Sequence, residues 1–129
     1  MATMFGLANI QQGEHFYDLG CGDGRLVRAA AKRGAIAIGY ELSLPTFFIA
    51  KLLTMGRKNA TIRYSNFWKR SYSDANVIFC FLMPKSMQSF EREIWSRLPR
   101  GCRVVSHAFK MDGVTPTKVE NGVYLYTKE

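Results

Sequence analysis

The sequence predicts an α/β fold of three layers, in which helices cover both faces of a mostly parallel sheet that ends in a C-terminal antiparallel hairpin. Three observations support this prediction. Short apolar runs alternate with helical patterns along the chain. Most of these runs lack polar alternation, which is typical of strands buried on both faces. Asn121-Gly122, between two β-like runs, predicts a hairpin turn. The length of 129 residues predicts one domain, residues 1–129.

The first strand-helix unit opens the predicted sheet. An apolar strand over His15–Leu19 ends in glycines, and a helix follows over Gly24–Arg33. The helical spacing gives this helix an apolar inner face. The residues of that face are Leu26, Val27, Ala30 and Ala31.

The remaining elements repeat the alternation. Leu44–Lys58 is the second predicted helix, and its most apolar part, Leu44–Met55, is interrupted by Lys51 and is interpreted as a buried helix. Pro99 and Gly101 mark the turn into a later strand. The other predicted strands are 35–40, 61–65, 76–82, 103–109, 117–120 and 123–127, and the third predicted helix is 86–98.

Composition and charge narrow the class of protein. A net charge of +8, with basic residues scattered along the chain, favours an acidic partner such as nucleic acid, anionic lipid or an acidic protein face, although solubility alone would also account for it. No apolar run is long enough for a membrane span, and no targeting pattern is present. Three cysteines at these spacings predict no metal site and a reducing compartment, so we expect a cytoplasmic protein.

A glycine-rich turn after the first strand is the strongest functional signal. It reads DLGCGDGR over Asp18–Arg25, opens a helix, and is followed by Glu41 at the end of the next strand. A dinucleotide would place its pyrophosphate beside Asp18 and Asp23, where like charges repel. S-adenosylmethionine carries an ammonium and a sulfonium but no phosphate, and Glu41 can accept hydrogen bonds from both ribose hydroxyls. The charges therefore favour S-adenosylmethionine as the cofactor.

Five segments in this order resemble one family of class I, or seven-stranded, methyltransferases. They are YDLGCGDGR, GYELS, NFWK, FLMP and RVVSHAF, and the resemblance covers most of the chain. The family comprises archaeal broad-specificity protein lysine methyltransferases and mitochondrial enzymes that methylate lysines of the ATP synthase c-subunit and of the adenine nucleotide carrier. The resemblance implies a Rossmann-like methyltransferase fold and a protein substrate.

The resemblance also implies a set of cofactor contacts. The first strand end and its turn would lie against the methionine part, Glu41 against the ribose, and Leu42 on the adenine. Asn66 and Phe67 would contact the adenine ring and its amine. The predicted cofactor-binding residues are Asp18, Gly20, Cys21, Gly22, Gly24, Glu41, Leu42, Asn66 and Phe67.

The segment Phe81-Leu82-Met83-Pro84 is the predicted acceptor mouth, where the methyl group would leave the cofactor. DNA and glutamine amine methyltransferases generally have a polar residue and two prolines there, whereas this mouth is apolar. An apolar mouth suits lysine, because desolvation lowers the pKa of its ammonium. His107, near the end of the fifth strand, could be a base, but a single histidine on an apolar strand favours a structural role with satisfied hydrogen bonds.

Three functions remain open from the sequence. The first is a protein lysine methyltransferase, the second an inert cofactor-binding or partner-binding module, and the third a nucleic-acid methyltransferase. Related proteins have an N-terminal segment that closes over the cofactor, and only Met4–Ile10 precedes the first turn here. We therefore expect an open methionine end, or a second copy or partner that covers it.

Overall fold

The structure, a computed structural model, describes all residues 1–129 and contains one seven-stranded sheet. The strand order is β3-β2-β1-β4-β5-β7-β6, with β1 to β5 parallel and β7 antiparallel to both of its neighbours. The strands are β1 His15–Leu19, β2 Ile36–Glu41, β3 Ala60–Tyr64, β4 Val77–Cys80, β5 Arg103–His107, β6 Lys118–Glu120 and β7 Val123–Thr127. The helices are α1 Ala2–Ala8, α2 Arg25–Lys32, α3 Leu44–Thr54 and α4 Pro84–Glu93, with short 3₁₀ turns at Phe67–Lys69 and Trp95–Arg97. The predicted three-layer fold with its C-terminal hairpin is confirmed.

Two apolar clusters lie on opposite faces of the sheet. Phe16 and Phe79 point to one face and meet helices α1 and α2, whereas Ile78 and Tyr126 point to the other and meet α4. Alternate residues of one strand point to opposite faces, so β1 and β4 carry apolar side chains on both faces. No helix combines the length and the apolar character needed to cross a membrane.

Helix α1 has no counterpart among the predicted elements. It spans seven residues and has no side-chain cap, so local sequence alone gives it little support. Tertiary contacts stabilise it instead. The ring centroids of Phe5 and Phe79 lie 5.0 Å apart, and the Arg103 guanidinium donates a hydrogen bond of 2.8 Å to the Ala8 carbonyl. Arg103 also pairs with Glu14 at 2.6 Å. The helix therefore depends on residues that are far away in the sequence, 95 positions in the case of Arg103 and Ala8, which no local pattern reveals.

Helix α3 corrects a second expectation. Only Ala50 and Thr54 are buried, and most of its apolar side chains face solvent. A helix that is apolar all round gives no indication of which side faces the core, so the interpretation of a buried helix is wrong. The helix also ends at Thr54, four residues earlier than predicted.

The remaining differences are shifts of element ends. β4 spans only Val77–Cys80 and is therefore shorter than predicted, with Phe81 beyond the end of the strand. β5 ends at His107, since Ala108 has a left-handed φ of 75° that interrupts the strand. Helix α4 starts at Pro84, whose fixed φ suits the first helical position.

Candidate functional site

A cavity of about 570 Å³ opens at the carboxyl ends of the central strands. β1 and β4 are neighbours there, at the point where the strand order reverses, which is where α/β sheets bind ligands. The volume lies in the range of small-molecule sites, roughly 300–1,000 Å³. The lining residues are Met1, Met4, Asp18–Asp23, Arg25, Leu26, Phe79–Phe81 and His107.

The glycine-rich turn gives the cavity a floor made of backbone. Gly20 and Gly22 have φ values of 75° and 57°, and a Cβ at either position would meet nothing within 4 Å. The Gly20 and Cys21 amides donate hydrogen bonds of 3.0 and 2.9 Å to the Tyr40 carbonyl, and these bonds fix the turn to β2. A ligand can therefore approach the backbone here without obstruction from side chains.

Gly24 allows close packing of helix α2 rather than access to the cavity. A Cβ there would lie 3.1 Å from Ile62 and 3.3 Å from the Thr54 hydroxyl, so this glycine lets the start of α2 approach α3 and β3. It does not line the cavity. Its predicted contact with a cofactor stays a prediction.

Asp18 is the ionisable group at the bottom of the cavity. Only 4% of the residue is exposed, and no protein group donates a hydrogen bond to its carboxylate. Burial, and to a smaller extent the charge of Glu41, raise the pKa of Asp18 to about 7. No fully buried side-chain oxygen lacks a partner in this protein, so the Asp18 oxygens are accessible from the cavity, where a cationic ligand would satisfy them best.

Glu41 joins the glycine-rich turn, which lines the cavity, to the loop after β2, although Glu41 itself is not part of the cavity lining. Its Oε1 accepts a hydrogen bond of 2.9 Å from the Gly22 amide, and its Oε2 accepts one of 3.0 Å from the Ser43 amide. Both bonds leave further lone pairs on the carboxylate for ligand hydroxyls. The carboxylate is thus held in position beside the glycine-rich turn before any ligand arrives.

The residues predicted to contact adenine lie at the same edge of the sheet but outside the cavity lining. Leu42 is exposed directly after β2. The Asn66 Oδ1 accepts 3.0 Å from the Trp68 amide and so caps a 3₁₀ turn, while the Phe67 ring rests 4.7 Å from that of Trp68. The cap uses only the Asn66 oxygen, so its amide N–H groups remain available to a ligand. The adenine contacts stay predictions.

Only part of the predicted acceptor mouth reaches the cavity. Phe81 lines it and is 63% exposed, whereas Leu82, Met83 and Pro84 lead away into α4. His107 also lines the cavity, with its ring 5.1 Å from that of Phe81. The interpretation of His107 as a satisfied structural residue is wrong: its side chain is exposed, because β5 ends at this position.

Eight residues of the lining are not among the candidates that the sequence suggests; they are Met1, Met4, Leu19, Asp23, Arg25, Leu26, Phe79 and Cys80. Met1 and Met4 come from α1, so the residues before β1 supply one wall of a cavity that the sequence predicts to be open. Arg25 and Leu26 lie on the first turn of α2 and border the glycine-rich turn. The position of Arg25 directly after the motif could have indicated its place, but no signal points to the methionines. No cluster of side chains suited to a metal ion occurs anywhere in the chain.

Residues 18–118 match the family described as the ANTKMT methyltransferase domain. The chain belongs to this family. The protein-lysine N-methyltransferase of Saccharolobus islandicus is 36% identical over 138 residues, which cover 95% of this chain and 84% of that protein. The human ATP synthase C-subunit lysine N-methyltransferase is 31% identical over 105 residues, which cover 79% of this chain and 45% of that protein.

Solved structures agree with this membership. An RNA methyltransferase from Salinibacter ruber in complex with S-adenosylhomocysteine has a TM-score of 0.89 and 29% identity, covering 98% of this chain and 88% of that one. A methyltransferase from Geobacter sulfurreducens has a TM-score of 0.68 at 19% identity, covering 81% of this chain and 45% of that one. This likeness shows the fold alone. The resemblance found in the sequence is confirmed: the chain is a methyltransferase domain whose cofactor is S-adenosylmethionine.

We expect Glu41→Ala to weaken the binding of S-adenosylmethionine to this methyltransferase domain by about 1–3 kcal/mol, roughly 5- to 150-fold. The substitution removes an acceptor for the ribose and also the bond that holds the Gly22 amide. Titration calorimetry measures the loss, with Glu120→Ala on the exposed strand β6 as the matched control. Equal affinities of the two variants would contradict the role of Glu41.

Proposed function

We propose that this domain transfers the methyl group of S-adenosylmethionine to the side-chain nitrogen of lysine in a protein substrate. The family and the relatives named as lysine methyltransferases support this proposal. The chain spans 84% of the archaeal relative but less than half of the human one, so the substrates of those enzymes are not assigned to this chain.

The observation that carries the proposal is an aromatic rim at the mouth of the cavity, formed by Phe81, His107 and Phe109. The Phe81 ring lies 5.1 Å from the His107 ring, and it stacks on Phe109 with centroids 6.4 Å apart and planes inclined by 11°. No carboxylate stands on this rim. The acids of the cavity, Asp18 and Asp23, lie on the glycine-rich turn, and Asp23 is paired with Arg25.

The rim suits a lysine acceptor for two reasons. Aromatic faces attract an ammonium as it approaches, and removal of water lowers its pKa, so that the amine can lose its proton. When bound, S-adenosylmethionine supplies a methyl group that its sulfonium has already activated. The protein then needs to align the amine and exclude water rather than to provide a strong base. Phe81, at the centre of the rim, would perform both tasks.

A second candidate function is methylation of RNA. The chain carries a net charge of +8, and the structure that matches it over 98% of its length is described as an RNA methyltransferase. The aromatic rim disfavours this candidate, because His107 is its only polar side chain that could form a hydrogen bond with the edge of a base.

Two further expectations stay proposals. One is that the protein is cytoplasmic, and the other is that a second copy or a partner covers the cavity.

The experiment offers both acceptors at once. The purified protein is incubated with methyl-labelled S-adenosylmethionine and a cell extract, and the products are divided for protease and nuclease treatment. We expect label in protein, recovered as methyllysine after hydrolysis, and less label with Glu41→Ala when the cofactor is below saturation. Label only in RNA would replace the proposal by the second candidate. Cofactor binding without transfer to either acceptor would indicate an inert module.

A further inference from the structure

Helix α3 presents an apolar surface to solvent that the methyltransferase site does not use. We call this surface the α3 face; none of its residues lines the cavity. Only Ala50 and Thr54 of the helix are buried. Several of its apolar side chains are exposed, and Leu52, for example, is 67% exposed. Scattered single apolar residues on a surface need no explanation, but a contiguous patch on one helix does. The α3 face consists of Leu44, Phe48, Ile49, Leu52, Leu53 and Met55.

Three basic residues lie on α3 or directly after it: Lys51, Arg57 and Lys58. None of the three forms a salt bridge. The other basic residues between Glu41 and Asp74 lie elsewhere, since Arg63 pairs with Tyr40 on the opposite face of the sheet and Lys69 and Arg70 lie beside α4. The charge of the first three is therefore available to an anionic partner.

The positive charge is concentrated at the C-terminal end of α3. There a shallow cleft of about 310 Å³ contains four basic side chains, and we call it the basic cleft. The Arg28 guanidinium donates to two neutral oxygens, the Asp23 carbonyl at 2.7 Å and the Thr54 hydroxyl at 3.4 Å, and forms no salt bridge. The cleft is lined by Arg28, Ala31, Lys32, Arg57, Lys58 and Asn59.

We propose that the α3 face docks this domain on an anionic phospholipid bilayer. The apolar side chains enter the boundary between headgroups and acyl chains, and the basic cleft contacts headgroup phosphates. A helix with long apolar side chains bordered by lysines and arginines is the arrangement by which proteins bind such surfaces in the plane of the interface. The proposal is independent of the identity of the methyl acceptor.

The charge distribution selects this occupant over the alternatives. A second copy would bring a second basic cleft against the first, and no acid among the lining residues could pair them. A nucleic acid would match the charge but would leave six apolar side chains without a partner. A protein interface usually has a polar rim of mixed groups, whereas the lining of the basic cleft contains four cations and no acid. A bilayer with anionic headgroups satisfies both the α3 face and the basic cleft.

The test is cosedimentation of the purified protein with vesicles of phosphatidylcholine alone and of phosphatidylcholine mixed with phosphatidylglycerol. We expect partitioning only into the mixed vesicles, and weaker partitioning at high salt. Phe48→Ser combined with Leu52→Ser should lower the partition coefficient by about tenfold or more, because both side chains lose the transfer into the interface. Arg57→Ala combined with Lys58→Ala should lower it severalfold and reduce the salt dependence.

Matched controls lie at sites remote from α3. Val119→Ser on β6 replaces an equally exposed apolar residue, and Arg100→Ala with Lys118→Ala removes two exposed charges elsewhere. These variants should partition like the wild type, and circular dichroism should show that all variants fold. Absence of binding to mixed vesicles would overturn the proposal, as would equal loss in test and control variants. It would also be overturned if light scattering showed a dimer that Phe48→Ser with Leu52→Ser dissociates while vesicle binding is absent.

Discussion

Asp18→Asn is expected to make the cofactor-free protein more stable at pH 8 and, at the same time, to remove most of its affinity for S-adenosylmethionine. The wild-type carboxylate is 4% exposed and is accessible only from the cavity, and its pKa of about 7 means that it is ionised at pH 8 at a cost to the folded state. An amide of the same shape avoids that cost. It also loses the charged interaction with the cofactor's ammonium, roughly 10- to 150-fold in affinity.

The sign of the pH dependence follows from the two pKa values of Asp18. The unfolded chain releases this proton near the ordinary value of 3.8, and the folded protein releases it near 7 because of burial and the Glu41 charge. Between these values the folded state holds more protons, so its stability falls as the pH rises from about 4 to 7 and is level above that. The full difference is about 4 kcal/mol, at about 1.4 kcal/mol for each pKa unit.

Urea unfolding of the cofactor-free protein across this range measures the effect. The gain of Asp18→Asn over the wild type should be near zero at pH 4 and should reach about 2–4 kcal/mol at pH 8. The exposed Asp112→Asn is the matched control and should show no such trend. A variant that is less stable than the wild type at pH 8, or one that still binds the cofactor normally, would show that Asp18 is not the site of a cation.

Gly39→Ala is expected to lower the free energy of unfolding by about 1–3 kcal/mol and to weaken cofactor binding about tenfold or more. Gly39 is paired with Asp18 in the sheet, and a Cβ there would lie 2.6 Å from the Val27 Cγ2 and 2.7 Å from the Cys21 Cβ. Relief of these overlaps requires movement of α2 and of the glycine-rich turn. The turn is also fixed to β2 by the Tyr40 carbonyl, so one added methyl group disturbs the cavity floor.

Gly6→Ala is the control for the added methyl group. Gly6 lies within α1, and a Cβ there would meet nothing within 4 Å, so alanine should be neutral or stabilise the helix by up to about 1 kcal/mol. Urea unfolding curves measure the stability of both variants, and one cofactor titration of each measures its affinity for S-adenosylmethionine. If Gly39→Ala behaved like Gly6→Ala, the close packing of β2 against the turn would be contradicted.

The sequence predicts the architecture well because periodicity and turn chemistry are local signals. β1 and β7 have the predicted bounds, and the Asn121-Gly122 turn connects the hairpin, with both residues at positive φ. The strand ends at Asp18 and Glu41 can be located for the same reason: each follows an apolar run directly. Parallel strands bring such ends together at one edge of the sheet.

Other features depend on contacts that a local pattern does not contain. Helix α1 exists because Phe5 meets Phe79 and because Arg103 reaches the Ala8 carbonyl. The exposed side of α3 cannot be chosen from the sequence, since every side of that helix is apolar. The apolar strand around His107 suggests a structural role, but Ala108 ends the strand and turns the ring toward the cavity mouth.

The central claim is that the turn from Asp18 to Arg25, together with Glu41, forms a site for S-adenosylmethionine, and calorimetric titration of the wild-type protein at pH 8 tests it most directly. S-adenosylmethionine and S-adenosylhomocysteine should each bind with a stoichiometry of one, and NAD should produce no saturable heat, because Asp18 and Asp23 oppose a pyrophosphate. Binding of NAD at the same site, shown by competition, or no binding of either adenosyl ligand would contradict the account.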